Sequence, residues 1–121
     1  MQKPSAEALE AFDRVFPGDP AAVLKKMFGM PAGFVNGNMF LGVFANGVVL
    51  RLPEDKRVAL EAMEGVSHFE PMPGRPWKEY LHADATQWGH SEELAQWAQL
   101  AMDHTATMPP KKPKARKNKK G

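Results

Sequence analysis

The chain has 121 residues, enough for one domain built on one core and too few for a second. A hydrophobic fraction of 43% and a charged fraction of 25% are those of a folded globular protein, and the lack of cysteine excludes disulfides, thiolate metal sites and thiol nucleophiles. The net charge of +2 hides a split: residues 111–120 carry seven cations and no acid, which leaves nine Lys and Arg against all 14 acids in residues 1–110, a net of −5.

Ser5 is placed to cap a first helix that runs to Phe16, with Glu7 and Glu10 near its positive end. Leu9, Phe12 and Phe16 have the spacing of one buried stripe, and Pro17-Gly18 stops the helix. Asp19-Pro20 offers a second cap with proline at the first helical position, which predicts a helical turn over residues 21–24. Residues 25–28 either extend that turn or open a strand. Asn36-Gly37 and Asn46-Gly47 are the preferred central pairs of two-residue type I′ hairpins. The apolar segments 38–45 and 48–52 have strand length, so a three-stranded meander is predicted over residues 34–52. Met27-Phe28 and Met39-Phe40 read as core.

Leu52-Pro53 ends the sheet and begins a second helix, with Glu54 and Asp55 in its first turn, Ala59 and Met63 on one face, and Gly65 just past its end. Residues 66–69 read as a short strand. Pro71, Pro73, Gly74 and Pro76 predict a rigid loop outside any central ladder. Residues 77–82 read as a strand with Trp77, Glu79 and Leu81 on one face and Lys78, Tyr80 and His82 on the other. A last helix begins near Ser91 and buries Leu94, Trp97, Ala98 and Ala101; Pro109-Pro110 closes the fold. The expected order is α-β-β-β-α-β-β-α, an α+β fold with an antiparallel sheet covered by helices. Residues 1–110 form the domain, and residues 111–121, without a large apolar side chain, are expected to be a disordered basic tail.

Chemistry is sparse. His68, His82, His90 and His104 form no helical metal pair; His82, Asp84 and His90 are near enough in sequence to converge as ligands, but the histidines read better as surface or strand-end residues. Ser5, Ser67 and Ser91 lie in no nucleophile-elbow setting, and Glu70 and Glu79 could face each other across the last two strands. No catalytic residue, metal or cofactor is therefore expected. The candidate interaction loop carries Arg75, Trp77 and Tyr80, because Arg and Trp are enriched at interface hot spots and prolines stiffen the loop that presents them. In the other reading Trp77 packs inward and Arg75 pairs with a carboxylate. The candidate nucleic-acid segment is Lys111, Lys112, Lys114, Arg116, Lys117, Lys119 and Lys120, whose cations would attract phosphates without base selectivity. A small-molecule pocket between sheet and helices, lined by Tyr80, His82 and Arg75, is the competing hypothesis. Residues 1–18 hold no apolar run of signal-peptide type, so a soluble cytoplasmic protein without membrane contact is expected, as monomer or homodimer.

The segments Met27-Phe28-Gly29, Phe34-Val35-Asn36-Gly37-Asn38-Met39-Phe40 and Leu50-Arg51-Leu52-Pro53 resemble the TfoX/Sxy N-terminal domain family. So do Phe69-Glu70-Pro71-Met72-Pro73-Gly74-Arg75-Pro76, Lys78-Glu79-Tyr80, Glu93-Leu94-Ala95-Gln96-Trp97 and Met108-Pro109-Pro110-Lys111-Lys112-Pro113. The resemblance implies a small α+β fold of the secretion-chaperone-like type. It also implies a regulatory binding role, associated with protein or nucleic acid, of the kind held by regulators of natural competence, and it carries over no catalytic residue.

Overall fold

The computed structural model describes residues 3–27 and 29–110, so the expectations for Phe28 and for residues 111–121 lie outside the described residues. Ser5 Oγ accepts the amide of Ala8 at 3.0 Å and caps α1, Ala6–Val15. The buried stripe of α1 is Ala8, Ala11, Phe12 and Val15; Leu9 is exposed and Phe16 only half-buried. The expected stripe was one position off because the small Ala8 and Ala11, not the larger Leu9, sit where the helix touches the sheet.

Asp19 does cap a turn, its Oδ1 accepting the amide of Ala21 at 2.8 Å, but no helix follows. The chain enters β1, Val23–Met27, which pairs antiparallel with β2, Met30–Val35. Ladder pairing with β2 supplies backbone partners that a single helical turn cannot, and this settles the open assignment of residues 25–27 as strand. The turn to β3, Asn38–Phe44, places Asn36 at φ 55° and Gly37 at φ 76°, the two positive values of a type I′ hairpin.

The second hairpin departs from expectation by one residue. Phe44 pairs with Gly47, the first residue of β4, Gly47–Arg51, so the corner residues are Ala45 and Asn46. Ala45 takes the positive φ of 52°. Two observations explain the shift. A Cβ on Gly47 would overlap the His82 ring and come within 2.6 Å of the Ala83 carbonyl oxygen, so Gly47 is needed in the ladder. Asn46 in turn is needed at the corner: its Nδ2 donates to Thr86 Oγ1 at 2.8 Å and Asp84 Oδ1 at 3.2 Å, and its Oδ1 accepts the Ser5 hydroxyl.

After β4, α2 spans Glu54–Glu61 with no buried residue; Leu60 and Met63, not Ala59, lean on the core. Gly65, at φ 83°, leads into β5, Val66–Met72, which a two-residue turn at Pro73-Gly74 joins to β6, Arg75–Asp84. The expected proline loop is therefore mostly strand. Pro71 is tolerated because β5 is the sheet edge. A helix absent from the expected order, α3, Ala85–Trp88, is capped by Asp84, whose carboxylate accepts the Gln87 amide at 3.1 Å. Asp84 with Gln87 three residues on is a capping-box pattern. Finally α4, Glu92–Ala106, starts at the Ser91 cap.

The fold is α+β, with a six-stranded antiparallel sheet in the order β1-β2-β3-β4-β6-β5. Helices α1 and α4 pack on β3 and β4, and the main core joins Phe12, Phe40, Leu41, Val48, Leu50 and Leu81 to Leu94, Trp97 and Ala101. Trp88 of α3 and Trp97 of α4 meet at 4.9 Å between ring centroids, tilted by 51°. Arg14 clasps the α3–α4 link by donating to the carbonyls of Gly89 and Ser91, both at 2.8 Å. Among the described residues no helix is long and apolar enough to cross a membrane.

Candidate functional site

Strand alternation gives the sheet a second face. Leu81 and Ala83 of β6 enter the helix-side core, so Tyr80 and His82 point to the opposite side, as does Val49 of β4 opposite His82. That side is a separate cluster drawn from strand residues alone: Ala32, Met39, Val49 and Phe69 are buried, and Met27, Phe34, Phe44, Trp77 and Tyr80 half-buried around them.

Trp77 was expected on the face of Leu81 and lies instead with Tyr80. The cause is a register shift. His68 of β5 pairs with Leu81, but its neighbour Phe69 pairs with Trp77, so β6 accommodates extra residues and the alternation slips. The aromatic rings form a continuous series. Phe44 and Trp77 each meet Phe69 edge-on at 5.1 Å, and Trp77 meets Tyr80 at 5.4 Å. His82 stacks on Phe69 at 6.5 Å with planes 11° apart. Its Nε2 lies 2.8 Å from the Phe44 carbonyl, which can only accept, so Nε2 carries the proton.

Cations border this series. The Lys25 ammonium stands 5.5 Å over the Phe34 ring and the Arg51 guanidinium 5.5 Å over Tyr80. Arg51 Nε also donates to Glu79 Oε1 at 2.8 Å, which holds the Glu79 carboxyl below its ordinary value. The Tyr80 hydroxyl donates to the Met39 carbonyl at 2.9 Å, and burial pushes its ionisation up.

Arg75, Trp77 and Tyr80 thus all lie in β6 rather than in a loop. The structure brings Trp77 and Tyr80 together and leaves Arg75 exposed at the strand start. His82, Asp84 and His90 do not converge. His82 serves the Phe44 carbonyl, while Asp84 caps α3 and holds Asn46. Glu70 and Glu79 have separate partners, since Glu70 Oε2 accepts the Gly74 amide at 2.6 Å. That bond, aided by His68, lowers the Glu70 carboxyl from its ordinary value. An open depression of about 280 Å³ lies beside His82, lined by Phe44, Ala45, Ser67, His68, Phe69 and Glu70, without Tyr80 or Arg75. Phe44, Phe69 and Phe34 were missed as site residues; the signal was available in their positions on strands that alternate toward the face opposite the helices.

This architecture defines a small α+β module whose sheet is layered by helices on one side and faced with clustered aromatic rings on the other. Residues 20–105 match the family described as TfoX N-terminal domain, and the chain belongs to that family. No curated protein and no solved structure matches the chain.

Proposed function

We propose that the protein is a non-catalytic regulatory binding module of the TfoX type, holding a macromolecular partner on the helix-free face of its sheet. The observation that carries this reading is the aromatic series from Phe44 through Phe69 and Trp77 to Tyr80, in which half-buried Phe44, Trp77 and Tyr80 surround buried Phe69 without a covering helix among the described residues. Large aromatic side chains bring contact area at low entropic cost, which is why they dominate binding hot spots. Family membership supports a competence-regulator-like module.

Capture from native lysate, run with wild-type chain and a Trp77→Leu variant of matched stability, tests the assignment. A component retained by the wild type and lost with the variant is expected; equal retention of every component would remove the face from the account. The second reading, a small-molecule binder, is favoured by the depression beside His82. In that case one metabolite should raise Tm by several degrees, and His82→Ala should abolish the shift.

A further inference from the structure

We infer that the helix-free face takes single-stranded nucleic acid, with bases stacking on the rings around Trp77 and phosphates held by the bordering cations. This rests on the binding-module reading above and names the partner's chemistry. Two observations lead to it.

The first is charge segregation. Helices α1, α2 and α4 together carry nine carboxylates against three Lys and Arg, whereas the six strands carry Lys25, Lys26, Arg51, Arg75 and Lys78 against three carboxylates. The acidic excess of the domain therefore belongs to the helix layer. An anionic chain is repelled there and drawn to the sheet. Of the three strand carboxylates, Glu79 is tied to Arg51, Glu70 to the Gly74 amide, and Asp84 to the α3 cap.

The second is the pairing of cations with rings. Lys25 over Phe34 and Arg51 over Tyr80 set charge beside a π surface at two margins of one cluster. Stacking platforms for single strands combine these two features, because every unpaired base offers a flat face and every nucleotide a phosphate. A duplex keeps its base faces stacked inside, out of reach of such rings.

Fluorescence anisotropy of labelled dT12, rU12 and a 12-bp duplex, titrated with the full chain across a salt series, tests the inference. Binding of at least one single strand, tighter than of the duplex and with quenched tryptophan emission, is expected. Trp88 and Trp97 are buried, so the quench reports Trp77. Trp77→Leu should weaken single-strand binding about tenfold and abolish the quench while leaving the salt slope unchanged. Lys25→Glu, an exposed change that spares the core, should weaken binding and reduce the slope by about one phosphate contact or more. The relative affinity for dT12 and rU12 separates DNA from RNA as the source of the strand. Absence of single-strand binding at 50 mM salt, duplex preference, or equal affinity of the wild type and both face variants would overturn the inference. If a protein from nuclease-treated lysate is retained through Trp77 while neither oligonucleotide binds, nucleic acid falls and the binding-module reading stands.

Discussion

Gly47 and Ala45 exchange the roles their residue types suggest. The glycine lies in a ladder under His82, and the alanine holds the left-handed corner. Gly47→Ala forces a methyl against the His82 ring and the Ala83 carbonyl, so urea unfolding should show a loss of about 1–3 kcal/mol. Ala45→Gly should do the reverse. Relief of a left-handed alanine is worth about 1–2 kcal/mol, partly offset by about 0.4–1 kcal/mol of extra chain entropy when unfolded, for a net gain near 0.5–1 kcal/mol. A loss of stability in Ala45→Gly would mean that the corner is not strained. Glu79 gives a pH prediction at the same scale. Because Arg51 favours its ionised form, the folded chain takes up this proton at lower pH than the unfolded chain does. The contribution is complete above about 4.5, the ordinary value, and is lost as pH falls through the lower folded value. With Glu79 46% exposed the effect is small, and Glu79→Gln should flatten the urea midpoint against pH between about 5 and 3 relative to wild type.

Among elements, α2 differs from α1 and α4 in burying no residue, its attachment resting on half-buried Leu60 and Met63. Amide exchange in α2 should therefore precede exchange in α1 and in the buried half of α4, and Leu60→Ala should cost less than Leu94→Ala, which empties a fully buried site at about 2–5 kcal/mol. Simultaneous exchange of all helices would contradict this ranking. The same elements show how far the residues alone reach. The helices capped by Ser5 and Ser91 and the hairpin at Asn36-Gly37 were readable from cap and turn chemistry, although the buried stripe of α1 was read one position off. Strand β1 was not, since Asp19-Pro20 signals a helix cap and a β-turn alike and only the partner strand decides. Helix α3 is too short to show a period, although Asp84 and Gln87 marked it. The aromatic face was only partly legible. Tyr80 and His82 alternate as expected, but Trp77 joins them through a register slip that no local pattern announces.

At the scale of the whole molecule, acidic helices lie on one side of the sheet and the ring cluster on the other, and Asn38 holds the Pro109 carbonyl where the described chain ends. Among the described residues, core and caps lie within residues 5–109, and glutamine in place of the seven cations of residues 111–120 should move Tm by less than about 2 °C in differential scanning calorimetry. A larger fall would show that the segment supports the domain. The indole pair of Trp88 and Trp97 has an optical consequence. Two such chromophores in contact and mutually inclined couple their transitions, so the native chain should display a bisignate exciton band in its ultraviolet circular dichroism. The band arises from the one indole–indole pair among the described residues and reports the α3–α4 junction. It would let an observer follow the docking of those two helices separately from the sheet, and Trp88→Phe should erase it while leaving Trp77 emission intact.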